Sequence, residues 1–492
     1  MSFVLKVVLL IFLSLNLTNQ VLASGKIYEI KMIKDGFDTQ KIVINQGDII
    51  KFENNDDTDR WPASDIHPTH AIYPDFDPKQ PLKPKESWQF QFTKSGTFRF
   101  HDHLKPEFNG EIEVTFDKSF KQKEKPKNTS SNFKNNLEVF FKKTFYKLFP
   151  SQLNKDLKTF NGVKIAEQEE ELNFWIQIIG GKRFMQKLVE DSGGGSKIDC
   201  HQEAHLTGRT AYKLEGKQVF TESDFNCHSG YLHGAMEAFI AENGGKNLVE
   251  AVTQLCKSFN TDFEKFECLH GIGHGFTAYM DYDILQSLDL CRKLDTDFAR
   301  RSCYGGVFME NILVVQGKGA VRAHETKWVS DDPHFPCNAI GQDYDVLYEC
   351  YQMQTSRMLD IYNYNHSKVV EQCAKSPPEM IAVCYKSFGR DVSGQTLRDP
   401  VKIVDLCKMV PEQYFKICIE GAENVIIDFW GGNLTNQPQQ LCNLLDQDTK
   451  TFCYALLGHR LNDVFGKDLP KKKQVCDSSE KEFINVCLNG SP

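Results

Sequence analysis

Cysteine is missing from the first 199 residues of this 492-residue chain, although sixteen cysteines follow. This absence excludes disulfides and thiolate-bound metal ions from the N-terminal part. A chain of this length also exceeds what one hydrophobic core usually organises. The length therefore predicts two or three domains, and the uneven use of cysteine is the first sign of a boundary between them. Pairing of the sixteen cysteines would suit an oxidising compartment.

Three further features are scarce or absent. The net charge is −8, so the chain lacks the basic face that nucleic-acid binding normally needs. No stretch after residue 24 is long and apolar enough for a transmembrane helix, which predicts a soluble mature chain without a membrane span. The HExxH and GxSxG signatures of common hydrolases do not occur, and the sequence assigns no catalytic residue.

Residues 1–24 have the layout of a secretory signal peptide. Lys6 precedes the apolar run VVLLIFLSLNL, and Val21-Leu22-Ala23 forms a small-residue cleavage pattern. The apolar run falls short of the roughly 20 residues that span a bilayer. We therefore predict cleavage and a secreted or periplasmic protein, with an uncleaved membrane anchor as the alternative.

Residues 25–117 follow a period of two, which is typical of β-strands. In WQFQF, Trp88, Phe90 and Phe92 alternate with glutamines, and EIEVTF alternates in the same way. KIVI and DIIKF are further short candidates, and glycines separate these segments. Several short strands within about 90 residues predict a β-sandwich.

This segment resembles the cupredoxin (blue-copper-like) superfamily. The resemblance rests on INQGDIIKFENND, on the loop HPTHAIYPDF and on the closing GTFRFHDHLKPEFNGEIEV. It implies a sandwich in which a loop and a final hairpin supply metal ligands at one end. Blue-copper sites also need a cysteine thiolate, which is missing here, and Phe108 stands near the place of the axial methionine. The resemblance therefore implies copper of another type.

Four histidines are the candidate ligands of this module. His101 and His103 are two residues apart on a predicted strand, so both should point to one face. His67 and His70 lie in the loop that the cupredoxin fold would bring to the same end. Imidazoles suit Cu(II), and Zn by the same ligand chemistry. The alternative is a sandwich that has lost its metal and keeps these histidines as hydrogen-bonding residues.

Two segments connect this module to the cysteine-rich part. Residues 118–136 (KSFKQKEKPKNTSSNFKNN) are basic and polar and predict a flexible linker. From Leu137 the apolar spacing becomes helical, and residues 137–199 predict a few helices that lead into the repeats. The glycine-rich stretch Ser192–Ser196 marks a second break.

The cysteines of residues 200–492 reveal a repeat. Fourteen of them form seven successive pairs 11 to 13 residues apart that advance by about 35 residues, with one longer step, and Cys200 and Cys227 form an atypical opening pair. A period of this size is typical of two-helix repeats, so we predict one disulfide per helical hairpin in an all-α array that generally resembles solenoids of the tetratricopeptide and Sel1-like classes. Metal–thiolate clusters are the alternative, which even pairing and export disfavour. The predicted pairs are Cys200–Cys227, Cys256–Cys268, Cys291–Cys303, Cys337–Cys350, Cys373–Cys384, Cys407–Cys418, Cys442–Cys453 and Cys476–Cys487.

The first repeats are rich in histidine and read CHQEAH, CHSGYLHG and CLHGIGHG. His201/His205 and His270/His274 are each four residues apart, so each pair shares a helix face. His233 and His274 both lie six residues after the second cysteine of their repeats. These five side chains predict one polar pocket and a possible second metal site, whose spacing selects no particular metal. The alternative is that glycine and histidine both serve repeat packing.

Three functions compete at this point. The first is copper binding or redox chemistry outside the cytoplasm. The second is a solenoid that binds an unknown protein or small molecule on its concave face, with the β-module as an accessory. The third is a metalloenzyme centred on the histidine-rich repeats. The fold class alone does not choose among them.

Overall fold

The computed structural model describes residues 25–64, 73, 75–115, 129–194, 196–243, 248–280, 282–316, 326–430 and 435–490. For residues 106–107 and 129–138 it describes the backbone alone. The predicted signal peptide, His67 and His70 lie outside these ranges, as do residues 118–128 of the predicted linker. The chain divides into two compact units, Met1–Lys127 and Asn128–Pro492. We call them the β unit and the helical unit.

The β unit contains two four-stranded sheets in its described residues. One sheet has the order β2-β1-β4-β6, and the other has the order β3-β8-β7-β5. β1 pairs in parallel with β4, and β3 pairs in parallel with β8, so the chain crosses between the sheets. The strands are β1 (Ile27–Ile33), β2 (Gly36–Phe37), β3 (Lys41–Asn45), β4 (Ile49–Asn54), β5 (Pro62–Ser64), β6 (Ser87–Gln91), β7 (Gly96–Asp102) and β8 (Lys105–Thr115).

Aromatic side chains fill the core of the β unit. Phe52 and Phe100 are fully buried with ring centroids 5.5 Å apart, and Phe76 stacks on Trp88 at 5.8 Å. The alternation predicted for WQFQF is confirmed, because Phe90 points inward while Gln89 and Gln91 are exposed. Offset aromatic contacts of this kind stabilise a small core beyond their buried area.

The described part of the helical unit contains twenty-one α-helices. They are α1 (Thr129–Leu148), α2 (Pro150–Thr159), α3 (Gly162–Ala166), α4 (Glu169–Ile179), α5 (Gly181–Asp191), α6 (His201–Glu215), α7 (Gln218–Thr221), α8 (Gly230–Asn243), α9 (Leu248–Cys256), α10 (Asp262–Tyr279), α11 (Ile284–Cys291), α12 (Asp297–Val315), α13 (Tyr344–Ile361), α14 (His366–Cys373), α15 (Ile381–Gln395), α16 (Pro400–Cys407), α17 (Phe415–Trp430), α18 (Gln437–Asn443), α19 (Gln447–Phe465), α20 (Leu469–Cys476) and α21 (Ile484–Asn489). None of these helices is long and apolar enough to cross a bilayer.

The first helix corrects one predicted boundary. α1 begins at Thr129, inside the segment 118–136 that the sequence predicted as linker. The first residues of α1 are polar and have a low helix propensity, but the helix continues from them into the apolar turns that follow. Adding residues to an existing helix is far easier than nucleating one, so the helix can include these polar residues.

Disulfides staple the hairpins of the array. All eight predicted pairs are present, and no cysteine is free. Cys256, for example, ends α9 and pairs with Cys268 in α10, with their Cα atoms 5.6 Å apart. Each short loop closed in this way restricts the unfolded chain and stabilises its hairpin.

Glycines let neighbouring repeats approach closely. A Cβ atom on Gly234 would lie 2.0 Å from the carbonyl oxygen of His205, so only glycine fits there. Gly421 repeats the arrangement against Lys386, in a part of the array without clustered histidines. The glycines are therefore packing residues of the repeat, and the histidines of the first repeats need a separate explanation.

The array also bends back on itself. α10 contacts α19, although many helices lie between them in the sequence. The second helices of successive repeats consequently face a shared interior, and that interior positions the candidate site.

Candidate functional site

The β unit places two of its four candidate ligands side by side. His101 is buried on β7, and His103 follows the strand directly. Their ring centroids are 6.3 Å apart, and the indole of Trp61 packs 4.3 Å from the His103 ring. His67 and His70 are outside the described residues, so the structure leaves the four-histidine prediction untested.

Asp102, between the two histidines, serves a different role. Its buried carboxylate pairs with Arg60 and accepts hydrogen bonds from the backbone amides of Trp61 and Leu104, both at 3.0 Å. Arg60 in turn lies 5.1 Å from the ring of Phe108. Asp102 therefore fixes the end of the sheet through these contacts.

The helical unit gathers six histidines into one cluster. The five predicted side chains lie in α6, α8 and α10, and each ring centroid is within 5.5 Å of another. His228, which precedes α8, joins them at 5.6 Å from the His201 ring. The members of this histidine cluster are His201, His205, His228, His233, His270 and His274.

Carboxylates from the neighbouring repeats anchor three of these rings. Nδ1 of His205 lies 2.7 Å from Oε1 of Glu237, and Nε2 of His233 lies 3.1 Å from Oε2 of Glu267. Nδ1 of His274 lies 2.9 Å from Oε2 of Glu310. A carboxylate on one ring nitrogen orients an imidazole and raises the basicity of its other nitrogen, as in many metal sites.

The anchors define the protonation of the ring nitrogens. Nδ1 of His201 lies 2.9 Å from the carbonyl oxygen of Cys227, which only accepts, so this nitrogen carries the proton. Nδ1 of His205 donates to Glu237 in the same way. Both Nε2 atoms are therefore left with lone pairs, and they lie 3.2 Å apart. At this distance the two nitrogens either share a proton in an N–H···N hydrogen bond or bind one metal ion together.

Further nitrogens of the cluster are buried and unbonded. Within the part of the chain that the structure describes, Nδ1 of His233, Nδ1 of His270 and Nε2 of His274 have no hydrogen-bond partner. Ligand atoms of His201, His205 and His233 lie within 4.8 Å of one another, and so do those of His205, Glu237 and His274. These are two overlapping sets of three potential metal ligands.

Burial keeps the imidazoles neutral. It lowers the pKa of all six histidines in the cluster, to about 4 for His228 and His233. Burial also raises the pKa of the Glu267 carboxyl to about 7. Neutral imidazole is the form that binds metal ions, so the environment favours the ligating state.

The carboxylates were missed by sequence reasoning. Glu237 follows His233 by four residues, and Glu267 precedes His270 by three, so each shares a helix face with a histidine. That spacing was a usable signal. Their true partners, however, are histidines of the adjacent repeat. Glu237 also pairs with Arg209, which balances its charge.

A cavity of about 150 Å³ opens beside the cluster. His201, His228, Met309, Ser356 and Arg390 are among the residues that line it. Met309, Ser356 and Arg390 each lie six residues after the second cysteine of their repeats, as His233 and His274 do. In these repeats the position therefore faces the cavity and carries side chains other than imidazole, whereas His459, at the same position of a later repeat, is exposed.

A further group of potential ligands does not make a metal site. Glu423 lies close to the sulfur atoms of Cys442 and Cys453. Those two cysteines form a disulfide, so neither offers a thiolate.

Comparison with known proteins identifies no family for the chain. No family model and no curated protein matches it. Among solved structures, a purple cupredoxin from Nitrosopumilus maritimus matches with 15% identity and a TM-score of 0.15, covering 18% of this chain and 98% of that one. A reduced amicyanin variant matches with 15% identity and a TM-score of 0.17, covering 20% of this chain and 87% of that one.

Proposed function

We propose that this is an extracytoplasmic metal-binding protein whose helical unit holds a transition-metal ion, copper in preference, in the histidine cluster. The observation that carries the proposal is the pair of Nε2 lone pairs on His201 and His205. Two nitrogens 3.2 Å apart, each about 2.0–2.1 Å from one ion, would subtend an angle of about 100°. His233, through its free Nδ1, is the third ligand.

The donor set favours copper over other divalent ions. Three imidazole nitrogens, two of them on rings that a carboxylate anchors, suit Cu(II) and Zn, and affinity for such sites normally peaks at Cu(II). Because all sixteen cysteines form disulfides, thiolate ligation is excluded at this site. The same disulfides fit an oxidising compartment, which supports export of the chain.

The β unit is proposed to be a cupredoxin-like sandwich with a second copper site. His101 and His103 would supply two imidazoles, and the predicted ligands His67 and His70 would complete the set. Without a thiolate, this copper would lack the intense blue absorption of type 1 centres. Copper at either site would also allow one-electron redox chemistry.

A second candidate function is a metalloenzyme centred on the histidine cluster. The cavity beside His201 and His228 favours it, because a small molecule there would lie next to the proposed ion. Such a molecule would also be the small-molecule partner of the array. Addition of azide to the copper-loaded protein tests access, since binding of azide to copper adds a charge-transfer absorption band.

Metal analysis of variants tests the main proposal. The full chain is loaded with Cu(II), dialysed and measured by mass spectrometry for metal content, alongside H205A/H233A and H101A/H103A. Each double variant should lose about one equivalent of copper. The matched control is H366A/H459A, which changes the half-buried His366 and the exposed His459, both outside the cluster. Unchanged copper content in H205A/H233A would refute the helical site, and unchanged content in H101A/H103A would refute the β-unit site.

A further inference from the structure

The outward face of α1 is apolar although nothing in the described structure covers it. Phe140, Phe141 and Phe145 are 62%, 60% and 41% exposed, and Leu148 is 68% exposed. Phe149, the residue after the helix, is 52% exposed. We call these five side chains the α1 apolar face. Scattered exposed apolar residues are normal, but a contiguous patch of aromatic rings marks an interaction site.

The opposite face of α1 is already used. Val139 and Tyr146 are buried, and the Tyr146 ring stacks on Trp175 of α4 with centroids 6.5 Å apart. The Tyr146 hydroxyl also donates to Asp156 of α2 at 2.7 Å. The helix is therefore fixed to its own unit by one face and is apolar on the other. A helix that is apolar all round is normally buried on all sides.

Charge on α1 indicates what covers the exposed face. Between Val139 and Phe149 the chain has three lysines and no acidic residue. At about 100° per residue, Lys142 lies at one edge of the α1 apolar face, while Lys143 and Lys147 lie at the other. Apolar side chains flanked by lysines are typical of helices that lie in the interface of an anionic lipid bilayer.

We propose that the α1 apolar face docks the protein onto anionic membrane surfaces. The aromatic rings and Leu148 enter the boundary between headgroups and acyl chains, and the flanking lysines contact anionic headgroups. The helical unit thereby binds a bilayer peripherally through the surface of α1. The proposal is independent of the metal sites, because α1 contributes no residue to the histidine cluster.

Vesicle co-sedimentation of residues 25–492, the chain without the predicted signal peptide, tests this docking. The probes are vesicles of phosphatidylcholine alone and of equal parts phosphatidylcholine and phosphatidylglycerol. At a gain of about fivefold for each lysine near an anionic surface, the three lysines predict roughly hundredfold tighter binding to the anionic vesicles at low salt. High salt should remove most of this preference.

Two variants separate the apolar and the electrostatic contributions. F141S/F145S should weaken binding to anionic vesicles at least about tenfold, because two rings no longer leave water. K142Q/K143Q/K147Q should abolish the preference for anionic vesicles. Matched controls are F298S/L469S, which changes residues 46% and 67% exposed elsewhere, and K402Q/K408Q/K471Q. Both controls should bind as the unchanged chain does.

Other outcomes overturn the proposal. Failure of the unchanged chain to bind anionic vesicles excludes lipid as the occupant, and full binding by F141S/F145S excludes this face. Dimerisation in analytical ultracentrifugation that F141S/F145S abolishes would assign the face to a second copy of the chain. Lower stability of F141S/F145S without vesicle binding would mean that the chain itself covers the face.

Discussion

The Nε2 atoms of His201 and His205 lie 3.2 Å apart on successive turns of α6, and the partners of both rings direct a lone pair into the space between them. Without a metal ion the two nitrogens can keep this distance by sharing a proton, and with one they form a chelate. The residues of the proposed centre are thus held in place by the fold before any ion arrives, which reduces the ordering that binding requires.

Copper should therefore stabilise the helical unit against heat. An ion at about one hundred times its Kd adds about 2.7 kcal/mol to the free energy of unfolding. Differential scanning calorimetry with and without Cu(II) measures the shift in Tm. H201A/H205A should lose the shift, whereas H366A/H459A should keep it. An equal shift in H201A/H205A would contradict ligation by these two rings.

The carboxylate behind His205 should tune metal affinity. E237Q keeps the shape of the side chain but removes the charge that holds Nδ1–H, and loss of such an anchor typically weakens a metal site 10–100-fold. Competition with a chelator of known affinity measures the change. Glu371, which is exposed and pairs with Lys375, provides the control E371Q. Wild-type affinity in E237Q would mean that Glu237 only offsets the charge of Arg209.

Removing one disulfide should destabilise the helical repeats locally. C373S/C384S opens a loop of 11 residues, for which the chain-entropy estimate gives about 3 kcal/mol. Urea unfolding monitored by far-ultraviolet circular dichroism should show this loss. Full reduction of the protein should unfold the helical unit and leave the β unit folded, because the β unit contains no cysteine. Unchanged stability of C373S/C384S would contradict the role of the staple.

His228 should make stability depend on pH in the metal-free protein. Burial lowers its pKa to about 4, below the ordinary value of 6.5. Between these two pH values the unfolded state holds the proton and the folded state does not, so His228 contributes stability above pH 6.5 that is lost as the pH falls toward 4.

The variant H228N tests this contribution. Asparagine suits the positive φ of 54° at this position and does not titrate. The slope of the unfolding free energy against pH should decrease by about one bound proton in that window. H459N, at an exposed histidine, should leave the slope unchanged. An unchanged slope in H228N would show that His228 is protonated equally in both states.

Several features followed from local sequence patterns. The cysteine spacing predicted seven disulfides, because partners 11 to 13 residues apart lie at the two ends of one short hairpin, and the two remaining cysteines, Cys200 and Cys227, form the eighth. The HxxxH pairs predicted shared helix faces, because that spacing depends only on helix geometry. The alternation of apolar and polar residues predicted which side chains of β6 point inward, because successive side chains of a strand point to opposite faces. Each of these relations is set within a few turns or one strand of chain.

The remaining features depend on how the repeats stack. Glu237 anchors His205 across 32 residues of chain, and α10 meets α19 only because the array bends back. Sequence spacing carries no information on the angle or distance between packed helices. It therefore identified the five histidines, but it could not predict their carboxylate partners, the close approach of two Nε2 atoms or the cavity. Those relations come from close packing at glycines such as Gly234, which bring neighbouring helix backbones together.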